Sequence, residues 1–324
     1  MVWRDMRKAV DRLTKTGAIE AGKAARAMTE VDKRHEWVMN PKDAAWVQKL
    51  SSMNFVYYLG ATPAAALVNL TQGAITTFPA LASRHGWVKA MSMLTKAMQQ
   101  SIRTGGHIEK VLTGDEARAH AELLAMGAID RTLSHDLAGM GEGAELAYNP
   151  MWRKTMRVVS GMFHKAEVFN REGAGLAAYR LSREAGESHD VAVKYAADII
   201  FETHFDYANA NRARFMQGNG AKVLLAFKQY SQHMTYMLWR DFYQSMRGAT
   251  PQERAQARRK LTGTLGMTAV FSGVMGLPLM TMTFGIANAF KAAFGDDDEP
   301  WDAETEFRNF LVEMLGPDFG KVAQ

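Results

Sequence analysis

Two long runs of this chain, Leu50–Ser83 and Leu261–Phe290, contain no charged side chain, while the remainder is densely charged. A helix on the surface of a water-exposed domain needs a polar face, and a helix crossing a bilayer needs about 20 predominantly apolar residues. Runs of this length fit two arrangements. Either they form helices enclosed by protein, or they meet lipid. A mean hydropathy of −0.22 is too polar for a polytopic membrane protein, so any membrane contact is local.

Charge placement sharpens the lipid expectation. No Asp or Glu occurs between Ala44 and Ile108, or between Arg254 and Gly295. The charges bordering the runs are all cationic: Lys49 and Arg84 around the first, and Arg258, Arg259, Lys260 and Lys291 around the second. Segments near anionic headgroups carry such flanks. A net charge of +5 adds a general preference for anionic partners, either lipid or nucleic acid. The chain has no cysteine, which excludes disulfides, thiolate catalysis and thiolate zinc sites. Its 22 methionines suit surfaces that repack against several partners.

Strand-type alternation is scarce, so the expected fold is all-α: an elongated multi-helix bundle with a hydrophobic, Gly-rich C-terminal helix or helical hairpin. Thr113 with Glu116 and Thr250 with Glu253 both fit the capping box. Pro63 is suited to a first helical turn. The opening MVWRDMRKAVDRLTK reads as the middle of an amphipathic helix rather than a signal peptide, as in a chain that is part of something longer. Composition divides the chain into a helical region 1–103, a Gly- and acid-rich connector 104–150, a helical core 151–250, a hydrophobic helix or hairpin 251–295 and an acidic tail 296–324.

Within the second run the expected lipid-facing side chains are Leu261, Leu265, Phe271, Val274, Leu279, Phe284, Ile286 and Phe290. Gly266 and Gly273 share a helix face and would admit a second helix at close range. Pro278 should kink or break the run, giving one kinked span or a hairpin, and a buried hairpin within a bundle remains an alternative. The first run, which holds Pro63, Asn69, Gln72 and Pro79, reads as two buried helices or as a segment that meets lipid on assembly. After it, Trp87, Met91, Leu94, Met98 and Ile102 form an apolar stripe, with Lys89, Lys96 and Arg103 opposite. That is the pattern of an interfacial helix or of a helix docked on a core.

Nothing in the chain spells out catalysis. Glu202, His204 and Asp206 alternate in FETHFDY and would share one face on a strand, but they spread around a helix. His164 and Glu167 are one turn apart and lack a third ligand. Phosphate loop, His-Glu-x-x-His and nucleophile-elbow patterns are absent. The expectation is a non-enzyme with no metal and no cofactor. Tyr207–Arg240 is acid-free and interleaves Arg212, Arg214, Lys222, Lys228 and Arg240 with aromatics. Such a basic patch can track nucleic acid, anchor a helix at a lipid interface, or edge a core-facing helix.

The strings NFVYYLGATPAAALVNLTQ (54–72), AEVFNREGAGLAAYRL (166–181) and FDYANANRARFMQGNGAKVLLAFKQYSQHMTYMLWR (205–240) resemble, in order and spacing, a set found in large polyvalent, PLxRFG-type proteins of phages and prophages. The PLxRFG tag itself is missing, and the chain reads NGAKVLLAFKQYS where it would fall. The resemblance covers roughly residues 40–295. It implies Asn170, Arg171, Tyr179, Arg180, Asp206, Tyr207, Phe227, Lys228, Gln229 and Tyr230 as characteristic positions of structural role. It further implies an internal virion, or ejection, protein. Such a protein is stored in the virion interior and then delivered to the host envelope (inner membrane or periplasm), where it assists genome delivery. Its expected partners are further copies of itself in a homo-oligomer, other virion proteins, an anionic membrane surface and phage DNA. The alternatives are a colicin-like pore former and a nucleic-acid-binding virion scaffold.

Overall fold

A computed structural model describes residues 2–39, 45–60, 62–130, 154, 158–205, 214–216, 219–225 and 228–273, with short pieces at 287–288, 291, 302–306, 309 and 313. The fold is all-α, and no strand occurs among the described residues. No described helix is long and apolar enough to cross a membrane. Val274, Leu279, Phe284, Ile286 and Phe290 lie outside the described residues, as does the proposed break at Pro278.

The chain alternates between two compact units. One comprises Met1–Thr62, Arg131–His164 and Asp206–Gln229, the other Pro63–Asp130, Lys165–Phe205 and Tyr230–Gln324. The expected connector 104–150 is divided by this boundary: residues 104–130 belong to the second unit, and 131–150 lie outside the described residues.

In the first unit, α1 (Val2–Lys15) and α2 (Ala21–Met39) pack together across a turn at Gly17, whose φ of 70° suits glycine. Arg7 on α1 reaches Asp32 on α2 at 3.0 Å. Helix α3 (Ala45–Phe55) runs into a π-turn at Val56–Gly60 and buries Val47 and Phe55, the latter edge-on to Phe163.

The second unit holds the main core. It contains α4 (Pro63–Leu70), a π-turn at Gly73–Thr77, α5 (Phe78–His85), α6 (Trp87–Arg103), α7 (Gly114–Ala125), most of α8 (Gly161–Glu184) and α9 (His189–Thr203). A short α10 (Asn219–Leu224) belongs to the first unit. Most of α11 (Lys228–Arg247) and all of α12 (Pro251–Ser272) return to the second. The core gathers Phe78 and Leu81 of α5, Leu94 of α6, Leu123 of α7, Leu181 of α8 and Ile200 of α9. Small residues set the spacing: a Cβ at Gly175 of α8 would lie 2.8 Å from Ile200 Cδ1. Without that side chain α8 and α9 approach closely enough to exclude water.

Helix α6 departs from its expected stripe. Its buried positions are Ala90, Met93, Leu94, Ala97 and Ser101, while Trp87, Met91 and Ile102 are exposed. Ala90, Ala97 and Ser101 face inward beside Met93 and Leu94, and their small side chains let neighbouring helices lie close.

The two capping-box sequences behave differently. Thr250 accepts from the Glu253 amide at 3.1 Å, and Glu253 accepts in return from the Thr250 amide, so α12 starts with a complete box. Thr113 caps nothing through its side chain. Its partner Glu116 is held instead by the Arg180 guanidinium through two bonds of 2.7 Å. A tertiary bidentate ion pair outcompetes the local cap.

Candidate functional site

The base of the second uncharged run is pinned by a buried charge cluster in the second unit. Lys260, the last charge before the run, projects inward from α12. Its ammonium contacts Glu202 of α9 and lies 3.0 Å from Asp241 of α11. Arg240 also contacts Glu202 and lies 3.0 Å from Asp241. The Asp241 side chain is 2% exposed and that of Lys260 8%. Two acids and two bases thus close a neutral ring that ties α9, α11 and α12 together. Burial disfavours ionisation of Glu202, but Lys260 and Arg240 outweigh it and hold the carboxyl below the usual carboxylate range. Burial works against the Arg240 charge as well, and Glu202 and Asp241 more than restore it.

A cleft of about 530 Å³ opens beside the ring, lined by Arg84, Tyr195, Glu202, Asp241, Gln244 and Lys260 among others. The Arg84 guanidinium sits 4.5 Å over the Tyr195 ring and pairs with Glu187 at 2.6 Å. Burial pushes the Tyr195 phenol up to about 12, so it is neutral and acts as a platform. Every charge in the ring is met by its opposite, and the chemistry the arrangement performs is cross-linking of helices.

A second polar knot lies at the end of α9, whose last carbonyls have no partner within the helix. The side-chain amide of Gln72 donates to Thr203 O at 2.9 Å, and the Thr76 hydroxyl lies 2.9 Å from the same oxygen. Arg171, fully buried, donates to the carbonyls of His204 (3.1 Å), Phe205 (2.8 Å) and Ala128 (2.9 Å). These bonds hold Phe205 at a φ of 57°, a left-handed conformation that non-glycine residues seldom adopt. Thr77 stands 3.0 Å from both the Thr203 hydroxyl and His204 Nε2. Burial, with the Arg171 charge adding to it, lowers His204 to about 3, so the ring is neutral.

The FETHFDY residues are therefore split: Glu202 enters the charge ring, His204 enters the hydroxyl knot, and Asp206 lies outside the described residues. No group of three His, Asp or Glu among the described residues is placed to hold a metal.

Of the expected membrane-contact residues, Leu261 and Leu265 are half-buried on α12 and Phe271 is exposed beside Val270. Close helix approach occurs at Gly263, where a Cβ would lie 3.0 Å from Pro79 on α5; Gly266 faces open space, and Gly273 ends α12 at a φ of 67°. Of the expected basic patch, Lys228 is exposed in the first unit, whereas Arg240 is held in the charge ring of the second. Arg212 and the side chains of Arg214 and Lys222 lie outside the described residues.

Four of the positions implied by the resemblance make tertiary bonds. Asn170 donates to Asn69 O at 2.7 Å, Arg171 holds the α9 terminus, the Tyr179 hydroxyl meets His189 at 2.9 Å, and Arg180 grips Glu116. Residues 206, 207 and 227 lie outside the described residues. The ring itself is not legible in the sequence: Glu202 stands out only within FETHFDY, Lys260 only as a cationic flank, and Asp241 not at all. The signal that could have found Asp241 is its place as the single acid of an otherwise basic and aromatic helix. Compared with family models, curated proteins and solved structures, the chain matches none.

Proposed function

We propose that this chain is a non-enzymatic internal virion protein of a phage. In this reading it is stored with the genome, passes to the host envelope on infection, and assists DNA delivery through local membrane contact and homo-oligomerisation. Other virion proteins, an anionic membrane surface and phage DNA are its partners. The observation that carries the reading is the polarity of α12. Its inward positions are Ala257, Lys260, Gly263, Thr264 and Thr268, while Val270 (70% exposed) and Phe271 point outward. A helix serving only a water-exposed domain would turn its bulky apolar residues inward. Here Leu261, Leu265 and Met267 turn partly inward, while Val270 and Phe271 remain available at the end where the uncharged run continues to Phe290. The ordered resemblance to phage polyvalent proteins supplies the virion setting.

Flotation of the full chain with phosphatidylglycerol vesicles, set against phosphatidylcholine vesicles, tests the membrane part. The reading expects flotation with the anionic vesicles, and failure with both contradicts it. Mass spectrometry of purified particles from cells carrying the gene tests the virion part, and particles without the polypeptide contradict it.

A further inference from the structure

Helix α11 is amphipathic in two opposed stripes. Met234, Met237, Asp241 and Ser245 are buried. Tyr236 (65% exposed), Trp239 (66%), Tyr243 and Met246 are exposed. At 100° per residue the two sets fall on roughly opposite faces. Phe242 flanks the outer stripe, its ring 5.9 Å from that of Trp239. The stripe is about 15 Å long.

Its charges are one-sided. Asp241, the only acid of α11, is turned inward and neutralised in the ring. The carboxylate of Glu253, in the first turn of α12, accepts from the amides of Ala249 and Thr250. Cations collect at the C-terminal end of the helix: Arg247 is exposed, and Arg258 of α12 donates to Ser245 O at 3.2 Å.

We propose that the outer face of α11 is an interfacial docking surface for an anionic lipid bilayer, with Tyr236, Trp239 and Tyr243 at headgroup depth and the arginines on lipid phosphates. This rests on the membrane-contact reading above and adds to it a second surface, distinct from the exposed Val270–Phe271 end of α12. Residue type and charge together select the occupant. Tyr and Trp favour the zone where one end of the ring is apolar and the other wet. An acid-free face with cations at one end complements a negatively charged leaflet. The charge ring has a part in this, since it removes the one carboxylate of α11 that lipid phosphates would repel.

The absence of cysteine makes the test direct. Tyr243→Cys and Val270→Cys each introduce one labelling site at an exposed position, and each variant is labelled with an environment-sensitive fluorophore. On phosphatidylglycerol vesicles the label at position 243 should at least double in emission and shift to the blue. Lipids brominated near the headgroup end of the acyl chain should quench it more than lipids brominated near the terminal methyl. Phosphatidylcholine vesicles should leave it unchanged. Trp239→Ser should weaken anionic-vesicle binding about tenfold, as expected for loss of one large aromatic anchor, with an unchanged melting temperature.

A responding label at 270 with a silent label at 243 overturns the α11 surface and leaves the membrane reading standing. A responding label at 243 with a silent one at 270 supports the α11 surface and removes α12 from the contact. Silence at both overturns both. A change at 243 without vesicles, growing with protein concentration, means that a second copy covers the stripe and overturns the lipid assignment.

Discussion

The two uncharged runs share a composition and meet opposite fates. In the first, Ile75–Ser83 is buried without a break, and the run's polar side chains Gln72, Thr76 and Thr77 are spent on buried backbone and side-chain groups at the end of α9. In the second, the described part of α12 fully buries only small and polar residues, half-buries Leu261, Leu265 and Met267, and leaves Val270 and Phe271 outside. The runs meet at one seam, where α5 and α12 pack and Gly263 admits Pro79. Lack of charge thus permits burial without requiring it. What decides is whether a run offers small residues at the contact and hydrogen bonds to the groups it covers. Part of the first run makes the same point: α4 buries no residue and exposes Leu67 and Val68.

The largest effect should come from removing the anchor of the second run. Lys260→Met leaves Glu202 and Asp241 buried with Arg240 alone, and breaking a buried pair costs about 3–5 kcal/mol. A urea midpoint close to that of the parent chain would show that the ring is not what holds α12. Closing the seam is next. Gly263→Val places a side chain against Pro79 and should cost about 1–3 kcal/mol by overpacking, read as a fall in melting temperature. Gly266→Val, which faces open space, should cost far less.

The knot at the first run should register as pH dependence. His204 binds a proton at about 3 when folded against 6.5 for the ordinary group, so the unfolded chain holds more protons between these values. Stability should therefore fall as pH drops from 6.5 towards 3, by up to about 1.4 kcal/mol per unit. His204→Gln should flatten denaturation curves across that window. Glu202, held low by its cations, contributes stability that is present above its unfolded value and lost as pH falls through its folded one. Glu202→Gln should therefore alter the profile only below about 4.5. A smaller effect is local: Thr250→Ala removes one half of the α12 capping box and should cost about 1 kcal/mol.

Helix content and the α12 start were legible in the sequence because they depend on neighbours within one turn. The Thr250–Glu253 pair capped as its spacing predicts. What escaped depends on partners far along the chain. Glu116 left its cap for Arg180, 64 residues away. Arg240, legible only within a basic patch, and Lys260, legible only as a basic flank, are drawn into one ring by Glu202 of α9 and Asp241 of α11. Two glycines on one face pointed to Gly266 and Gly273 as packing sites, yet the rotation of α12 is set by Lys260 and puts Gly263 at the seam. The apolar stripe of α6 was legible as a helix but not in its facing, because Ala90, Ala97 and Ser101 share its contact side with Met93 and Leu94.

The most direct test of the account replaces the exposed end of α12 without touching its buried face. In Val270→Glu/Phe271→Glu, surface substitutions should move stability by no more than about 0.5 kcal/mol each, while flotation with phosphatidylglycerol vesicles should be largely lost. Undiminished flotation of a well-folded double variant would contradict the claim that this run meets lipid through its outer face.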